Sequence, residues 1–399
     1  MSMKIKIILR KDADDFKGEM IAAHNRTKEL KKNFPDAEIE VLMLREYFNS
    51  FFCKMRGVPQ VLKRSSIKYD NITYKALWFN FSPIDNILVK LHCKPVMIFR
   101  KLNRFVQYLK DADIVIAHST YAGYVAMLAK MRYGTPYTVT WHGTDIHTVP
   151  YSTEFMRNLT KQIIEKADAN CFVSKDLMLK SETLTSRASK YVLYNGVDRS
   201  RFKPLSDIEI METKAKFKIS TTSKNIAFIG NLYPVKNVLV LPEIYKRVTL
   251  LSSSSSIVFH FVGDGVLRGE LENRCKAVGI EYRMWGNQPA ELIPSIINCM
   301  NMVVLPSLNE GLPLISVETL ACGVPMIGSN VGGIAEAIGK ENVVNLDDKF
   351  AENMTTLIVS KLARHTPVVV GDEFSWEKTG KIEKEILKSR IGKIREYED

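Results

Sequence analysis

The chain has 399 residues, of which 46% are hydrophobic and 25% are charged, and its formal net charge is +12. The length exceeds what one ordinary core needs and fits two domains, and the composition excludes a disordered or fibrous chain. No apolar run approaches the roughly 20 residues of a membrane-spanning helix, and the first one is too short and too interrupted by lysine for a signal peptide. We therefore expect a globular protein that stays in the cytoplasm.

Short β-rich runs alternate with helical stretches along almost the whole chain. Six strands are predicted in the first half, at residues 4–9, 38–44, 113–119, 137–143, 169–174 and 191–196. Five more are predicted in the second half, at residues 225–230, 257–263, 280–286, 301–307 and 324–329. Apolar runs that end in Gly, Ser or His and lead into a helix are typical of parallel βαβ units. The pattern predicts an α/β protein with two doubly wound, Rossmann-like domains.

A charged segment without a β pattern, residues 199–222, indicates a domain boundary. We predict an N-terminal domain over residues 1–203 and a C-terminal domain over residues 204–376. The final segment, residues 377–399, has a helical pattern and is expected to pack back on the N-terminal domain.

The positive charge is concentrated in residues 51–110, which hold twelve Lys and Arg residues and two acidic residues. The cations are interleaved with aromatic side chains at Trp78, Phe79, Phe81, Phe99 and Phe105. This combination fits an anionic membrane surface, where each cation contributes about 1 kcal/mol and apolar side chains insert. The alternative is a pair of core helices with a solvated cationic face. Nucleic-acid binding is disfavoured, because no nucleic-acid motif accompanies the charge.

Two features could suggest a metal site, and neither is convincing. The six cysteines are scattered without a C-x-x-C pair, which favours reduced, structural thiols. The sequence Asp-Ala-Asp occurs at residues 12–14 and 111–113, but Asp113 directly precedes the apolar run IVIAHS and is more simply a loop cap.

The stretch NEGLPLISVETLACGVP, residues 309–325, places Glu310 and Glu318 on either side of a predicted helix start at Pro313. Glu318 then lies about one and a half turns inside the helix, roughly 7 Å further along. The helix N-terminus between them suits a phosphate, and each carboxylate can accept two hydrogen bonds from vicinal hydroxyls. The residues predict a site for an elongated ligand. The alternative is a helix N-terminal anion followed by an exposed helical glutamate.

This stretch resembles the retaining, GT-B-fold glycosyltransferases of family 4, which use nucleotide sugars. The similarity continues through TLACGVPMIGSNVGGIAEAI and appears, in order, at HGTD (142–145), YNGVDRSRF (194–202), GNLYPVKN (230–237), VGDGVLRGELE (262–272) and FSWEK (374–378). It covers roughly residues 113–378. The resemblance implies a GT-B fold, with two Rossmann-like domains facing a central cleft. It also implies transfer of a sugar from a UDP- or GDP-sugar to an acceptor hydroxyl with retention, in cell-surface glycan or glycolipid synthesis.

The resemblance further implies roles for individual residues. Glu318 would bind the ribose hydroxyls of the donor. Glu310, assisted by the N–H groups of Gly311 and Leu312, would bind hydroxyls of the transferred sugar. Lys236 would neutralise the diphosphate.

Other matching positions would surround the donor. Gly286 and Asn287 would border the base, and His142 would lie near the sugar. Gly18, in KGE, is similar to a glycine that approaches the phosphate, although its usual glycine neighbour is Lys17 here. His118 occupies the place equivalent to His142 after the preceding strand, and a site role and a core role remain open for it.

The loop of Gly230 and Asn231 departs from the family pattern, because the family usually has an arginine where this chain has Asn231. The phosphates would rest on Lys236 with less cationic help, or a basic residue of the first domain would compensate.

No metal or other cofactor is expected, since Lys236 and the helix N-terminus would replace it. The expected partners are a nucleotide sugar, a glycan or lipid-linked acceptor and an anionic membrane surface, without nucleic acid. A sugar-nucleotide isomerase or a phosphorylase on the same fold fits the two glutamates and HGTD less well.

Overall fold

The computed structural model of the chain describes residues 2–11, 18–48, 53–54, 62–80, 96–252, 256–363 and 368–398. The chain forms two compact units. Unit 1 comprises Met1–Tyr194 with Trp376–Asp399, and unit 2 comprises Asn195–Ser375. Each unit is built on its own largely parallel sheet, so the prediction of two doubly wound α/β domains is confirmed.

The two units divide at Tyr194, earlier than the predicted boundary at residue 203. Asn195 donates from Nδ2 to the carbonyl of Leu312, and the N–H of Val197 donates to the carbonyl of Phe374, both at 3.0 Å. These bonds place the segment after Tyr194 in unit 2. The charge pattern after residue 199 did not reveal this, because the ties are made by uncharged groups.

The sheet of unit 1 consists of β1 (Lys4–Lys11), β2 (Glu38–Tyr47), β3 (Ser66–Tyr69), β4 (Ile72–Asn80), β5 (Ile114–His118), β6 (Tyr137–Trp141), β7 (Ala169–Phe172) and β8 (Lys190–Val192). Its order is β3-β4-β2-β1-β5-β6-β7-β8. Neighbouring strands are parallel except β3 and β4, which form an antiparallel hairpin. The central strand β5 is a nearly continuous apolar run, and most residues of β1 are buried, because both faces of the sheet are covered.

The sheet of unit 2 consists of β9 (Lys224–Ile229), β10 (Ile257–Val262), β11 (Tyr282–Gly286), β12 (Met302–Leu305), β13 (Met326–Ser329) and β14 (Val343–Val344). Its order is β11-β10-β9-β12-β13-β14, and all neighbouring strands are parallel. The order reverses between β10 and β12, on either side of β9. Ligands of such sheets bind at the carboxyl ends of the strands beside this reversal.

The helices are α1 (Glu19–Asn33), α2 (Val96–Leu102), α3 (Ser119–Tyr133), α4 (Thr144–His147), α5 (Glu154–Lys166), α6 (Lys175–Ser181), α7 (Asp207–Phe217), α8 (Leu241–Leu251), α9 (Arg268–Val278), α10 (Ile293–Asn298), α11 (Leu314–Ala321), α12 (Ile334–Ile338), α13 (Phe350–Leu362) and α14 (Trp376–Glu398). Capping side chains and a glycine determine where several of these helices begin or end. The hydroxyls of Thr153 and Ser174 cap α5 and α6, and Gly134 ends α3 in the left-handed conformation.

None of the described helices combines the length and the apolar character needed to cross a membrane.

All eleven predicted strands are present, with ends that differ by a few residues. The hairpin of β3 and β4 and the short edge strand β14 were not predicted. The five cysteines that the structure describes are buried and unpaired, as expected for structural thiols. Cys93 lies outside the described residues.

The basic segment 51–110 differs from its predicted membrane-inserting form. Phe79, Phe99 and Phe105 are at most 5% exposed and pack inside unit 1. Trp78 is half-buried, and its indole N–H donates to the carbonyl of Arg64 at 2.7 Å. The three phenylalanines are therefore unavailable for insertion into a lipid surface, and Trp78 is partly withdrawn from it. Phe81 lies outside the described residues.

The last helix belongs to unit 1 and is fixed to the first helix by a buried ion pair. The guanidinium of Arg26 in α1 donates to Glu383 in α14 at 2.8 Å, and both residues are at most 2% exposed. Gly380 faces α1, where a Cβ atom would lie 2.6 Å from the Cβ of Glu29. The glycine therefore allows the two helices to approach closely.

Candidate active site

The loop that carries Glu310 joins the carboxyl end of β12 to α11 and is held by close backbone contacts. Gly332, after β13, has a φ of +54°, and a Cβ atom there would lie 2.0 Å from the carbonyl oxygen of Glu310. The N–H of Gly333 donates to the carbonyl of Gly311 at 2.6 Å. A side chain at position 332 would push the loop away, so these two glycines fix the position of Glu310.

Lys236 and Glu310 form an ion pair at the same edge of the sheet. Lys236 ends a short 3₁₀ turn after β9, and the N–H of Leu308 donates to the carbonyl of Val235 at 2.8 Å, which joins the two loops. Lys236 Nζ lies 2.5 Å from Glu310 Oε1, and the Ser307 hydroxyl donates to the same oxygen at 2.7 Å. The two charged side chains are 22% and 11% exposed. A largely desolvated ammonium beside an open edge is suited to a phosphate, because two of its three protons remain for other acceptors.

The backbone at Gly311 and Leu312 presents two buried N–H groups. Within the part of the chain that the structure describes, neither N–H donates a hydrogen bond. The carbonyl of Leu312 is held by Asn195 Nδ2, a contact that the sequence did not predict. Because a buried N–H without an acceptor is unfavourable, this pair is suited to bind an oxygen atom of a ligand.

Glu318 lies in the middle of α11, and its surroundings differ from those of Glu310. The residue is half-buried, and its carboxylate has no hydrogen-bond or ion-pair partner among the described residues. Burial raises the pKa of Glu318 to about 7, and the charge of Arg201 partly opposes this rise. A carboxylate that is withdrawn from water and lacks a protein partner is suited to accept hydrogen bonds from a ligand.

The loop after β9 carries Gly230 and Asn231 and packs closely on the loop after β10. A Cβ atom at Gly263 would lie 2.0 Å from the carbonyl oxygen of Gly230, and one at Gly265 would lie 2.5 Å from that of Leu232. The side chain of Asn231 is half-buried and has no partner in the described ranges. The two glycines therefore fix the loop that leads to Lys236.

Two further predicted positions, Gly286 and Asn287, follow at the end of β11. Gly286 has a φ of +67°, which turns the chain sharply, and Asn287 is exposed. In unit 2 the structure thus brings Lys236, Glu310, Gly311 and Leu312 together, while the other donor positions lie on neighbouring loops or along α11.

His142 of unit 1 follows β6 and is held by its neighbours. The carboxylate of Asp145 accepts the N–H groups of His142 and Gly143 at 2.8–3.2 Å. His142 Nε2 lies 2.9 Å from His118 Nδ1 at the end of β5. Gly18 precedes α1 with a φ of +50°, and its neighbour Lys17 lies outside the described residues.

The second Asp-Ala-Asp sequence lies directly before β5, at the opposite edge of the sheet in unit 1. Asp111 forms an ion pair with Lys6, and Asp113 accepts the backbone N–H of Lys4 at 2.6 Å. These contacts stabilise the start of β1 and β5. The first copy, residues 12–14, lies outside the described residues. Metal-free transfer stays a prediction.

Two doubly wound units, with polar groups gathered at the carboxyl ends of the strands, define a protein with the GT-B fold. Two family models match the chain: "Glycosyl transferases group 1" over residues 223–360 and "Glycosyltransferase Family 4" over residues 68–201. Together they match more than half of the chain: the first lies in unit 2, and the second lies in unit 1 except for its last seven residues. The chain belongs to glycosyltransferase family 4.

Similar proteins agree with this assignment. The chain is 26% identical to an uncharacterized glycosyltransferase of Methanocaldococcus jannaschii, over 68% of the chain and 74% of that protein. It is 28% identical to the UDP-Gal:alpha-D-GlcNAc-diphosphoundecaprenol alpha-1,3-galactosyltransferase of Escherichia coli, over 60% of the chain and 65% of that protein. The solved structure of HepE from Anabaena in complex with UDP has a TM-score of 0.64 at 16% identity, covering 99% of both chains, and this likeness shows the fold alone.

Proposed function

We propose that the protein transfers a sugar from a nucleotide-sugar donor to an acceptor hydroxyl with retention of the anomeric configuration. The observation that carries the proposal is the carboxylate of Glu318, which is half-buried, has no partner among the described residues and has a pKa raised to about 7. Vicinal hydroxyls of a ribose would supply the two hydrogen bonds that this carboxylate lacks.

The neighbouring groups fit the rest of such a donor. Lys236 would stabilise the diphosphate as negative charge develops on it during departure. Glu310, with the N–H groups of Gly311 and Leu312, would hold hydroxyls of the transferred sugar. Asn231 would contribute a neutral contact to the phosphates, so Lys236 would carry most of the electrostatic stabilisation.

Retention is supported by the family and by the surroundings of His142. Burial and the charge of Arg26 lower the pKa of His142 to about 3, so its ring is a weak base. An acceptor hydroxyl would then lose its proton to an oxygen of the departing diphosphate. We expect full activity after exhaustive chelation, and an absolute requirement for a divalent metal would contradict this scheme.

Uridine nucleotides are the first donors to test. The Escherichia coli relative is named for UDP-Gal, and the Anabaena structure contains UDP. That relative also acts on a diphosphoundecaprenol-linked sugar, which supports a lipid-linked or surface glycan as the acceptor here. We place the reaction at the cytoplasmic face of an anionic membrane, to which the exposed Arg100 and Arg104 would bind.

Isothermal titration with UDP and GDP tests the division of roles between the two glutamates. Glu318→Ala should weaken binding of the nucleoside diphosphate by about 10- to 100-fold, since it removes hydrogen bonds to a charged group. Glu310→Ala should change that affinity by less than about threefold and lower turnover instead, because its partner is the sugar. The exposed Glu352→Ala in α13 is the matched control. Equal losses in both variants would refute the roles, and an unchanged affinity in Glu318→Ala would refute the site.

A further inference from the structure

The rings of His118 and His142 form one unit at the carboxyl edge of the sheet in unit 1. His118 is the last residue of β5, and His142 directly follows β6, the neighbouring parallel strand. The ring centroids are 5.2 Å apart with an interplanar angle of 24°, and His118 Nδ1 lies 2.9 Å from His142 Nε2. His118 is 1% exposed, whereas His142 is partly exposed. The buried ring therefore supports the accessible one.

The backbone around the pair is fixed on both sides. Ser119, directly after His118, has a φ of +68°, which is uncommon for a residue other than glycine and is maintained only where the surrounding structure enforces it. Asp145 holds the N–H groups of His142 and Gly143. The constrained backbone on each side thus fixes where the two rings lie relative to each other.

Burial, more than the surrounding charges, keeps both rings neutral. Burial and then the charge of Arg26 lower the pKa of His142 to about 3. Burial, followed by the neighbouring His142 and then Arg26, holds the pKa of His118 well below its ordinary value. Glu383 neutralises Arg26 through the buried ion pair, and the Asp145 carboxylate is occupied by backbone N–H groups. Because the two nitrogens are 2.9 Å apart, a hydrogen bond joins them, and one of the two neutral rings supplies its single N–H to that bond.

We propose that His118 is a positioning residue for the transfer reaction: it occupies Nε2 of His142, so that His142 presents Nδ1 to the ligand in a single tautomer. If His118 Nδ1–H donates, His142 Nδ1 carries the proton and is a donor. If His142 Nε2–H donates, Nδ1 is an acceptor. In both cases the buried ring decides what the accessible ring offers to a sugar hydroxyl.

The expected change in turnover rests on the proposed function. The single tautomer of His142 does not rest on it. His142 would orient a hydroxyl of the transferred sugar and would not remove a proton from the acceptor. The loss of His118 should therefore impair turnover more than binding of the bare nucleotide, whose predicted contacts, Glu318 and Lys236, lie in unit 2.

Two variants of similar size separate the hydrogen bond from packing. His118→Asn retains a polar atom near the position of Nδ1, and His118→Leu removes it. Long-range ¹H–¹⁵N spectra of histidine-labelled protein report tautomers directly, with seven histidines to assign. The His142→Gln spectrum identifies the resonance of His142.

In the wild-type protein we expect one neutral tautomer of His142 down to about pH 5. In His118→Leu we expect a mixture of tautomers, a kcat at least tenfold lower and a dissociation constant for UDP or GDP within about twofold of wild type. His118→Asn should restore a single tautomer and a kcat within about threefold of wild type.

Mixed tautomers or a protonated His142 at pH 6 in the wild-type protein would overturn the inference, and this measurement requires no variant to fold. The inference also fails if His118→Leu loses turnover while His142 keeps its single tautomer, because His118 would then be structural. If the wild-type protein transfers no sugar but His118→Leu loses the single tautomer, the proposed function fails and the role of His118 in fixing His142 stands.

Discussion

The two glutamates of the candidate site have different electrostatic surroundings although they are eight positions apart. Glu310 accepts a lysine and a serine hydroxyl, so its charge is compensated within the protein. Glu318 has no such partner in the part of the chain that the structure describes, and burial raises its pKa. The two residues therefore have separate roles. Lys236 and Ser307 hold the carboxylate of Glu310 in place, whereas the carboxylate of Glu318 is available to a ligand.

The raised pKa of Glu318 predicts how the stability of the ligand-free protein varies with pH. The folded pKa is about 7 against an ordinary value of 4.5, so the folded state holds a proton that the unfolded state releases between these values. Stability is therefore lost as pH rises from about 4.5 to 7. Glu318→Gln removes this loss and should raise the free energy of unfolding at pH 8 by about 1–2 kcal/mol, allowing for partial solvent screening.

Urea denaturation at pH 4.5 and pH 8 measures this effect. Glu318→Gln and wild type should have similar stability at pH 4.5 and differ at pH 8, whereas Glu352→Gln should resemble wild type at both. A variant that gains nothing at pH 8 would show that Glu318 ionises normally in the folded protein.

Residue types and spacing were sufficient to predict where Glu310, Glu318 and Lys236 would lie in their loops and helix. They were not sufficient to predict the contacts among them. Lys236 and Glu310 are 74 positions apart, and their pairing depends on β9 and β12 being neighbours. The contact of His118 with His142 likewise requires the register of β5 on β6, which a single sequence does not specify.

Glycines at the ends of strands fix the site at the scale of the elements. Gly332 lies against the loop of Glu310, and Gly263 and Gly265 lie against the loop of Asn231. In each case the contact is backbone to backbone, where no side chain can move aside. The loops are therefore positioned by the absence of Cβ atoms more than by side-chain packing.

Gly332→Ala should displace the loop of Glu310. The added methyl group would meet a carbonyl at 2.0 Å, and the backbone at φ +54° is unfavourable for alanine, so the free energy of unfolding should fall by about 2–3 kcal/mol. Gly269→Ala is the matched control, because nothing lies within 4 Å of its added Cβ and it stands in α9. The control should be neutral or more stable by up to about 1 kcal/mol.

Thermal or urea denaturation, with turnover measured in parallel, tests the pair of glycine variants. If Gly332→Ala were as stable and as active as Gly269→Ala, the loop of Glu310 would not depend on this contact.

The hairpin of β3 and β4 could have been predicted from its turn. Asp70 and Asn71 have φ values of 41° and 61°, as in the two-residue turns that Asp and Asn favour between alternating polar and apolar residues. The concentration of cations around this segment directed the interpretation towards a membrane instead. β14 has two residues and no sequence signal strong enough to predict it.

The charge of the whole molecule is asymmetric. Residues 1–200 contain 32 Lys and Arg residues against 20 Asp and Glu residues, so they account for all of the net charge of +12. Because the described aromatic residues of the basic segment are buried or half-buried, attraction to an anionic surface would be electrostatic. This changes the expected response to salt, since screening acts on charges and not on inserted apolar groups.

The protein should sediment with anionic vesicles and not with neutral ones, and high salt should release it completely. Changing Arg100 and Arg104 to glutamine should weaken binding by about 30-fold, at about 1 kcal/mol for each cation near the surface. The same change at Arg247 and Arg274 of unit 2 is the control for net charge. Vesicle binding that persists in high salt, or an equal loss in the control, would contradict an electrostatic surface on unit 1.

The ion pair between Arg26 and Glu383 links the two ends of unit 1. Glu383→Gln should lower the free energy of unfolding by about 3 kcal/mol, because a buried guanidinium would lose its counter-charge. Glu377→Gln on the same helix removes an exposed partner of Lys381 and should leave the unfolding midpoint unchanged. Equal midpoints for the two variants would show that the buried pair does not hold the last helix.

The ion pair between Arg26 and Glu383 also determines which unit can reach its final structure first during synthesis. Glu383 is 357 positions after Arg26, so at 5–20 residues per second roughly 20–70 s separate their appearance from the ribosome. Unit 2 is one contiguous segment of the chain and can fold during this interval. Until α14 emerges, Arg26 of the first helix lacks Glu383, its ion-pair partner in the finished protein. Unit 1, although its strands are made first, is therefore the last part of the protein to reach its final structure.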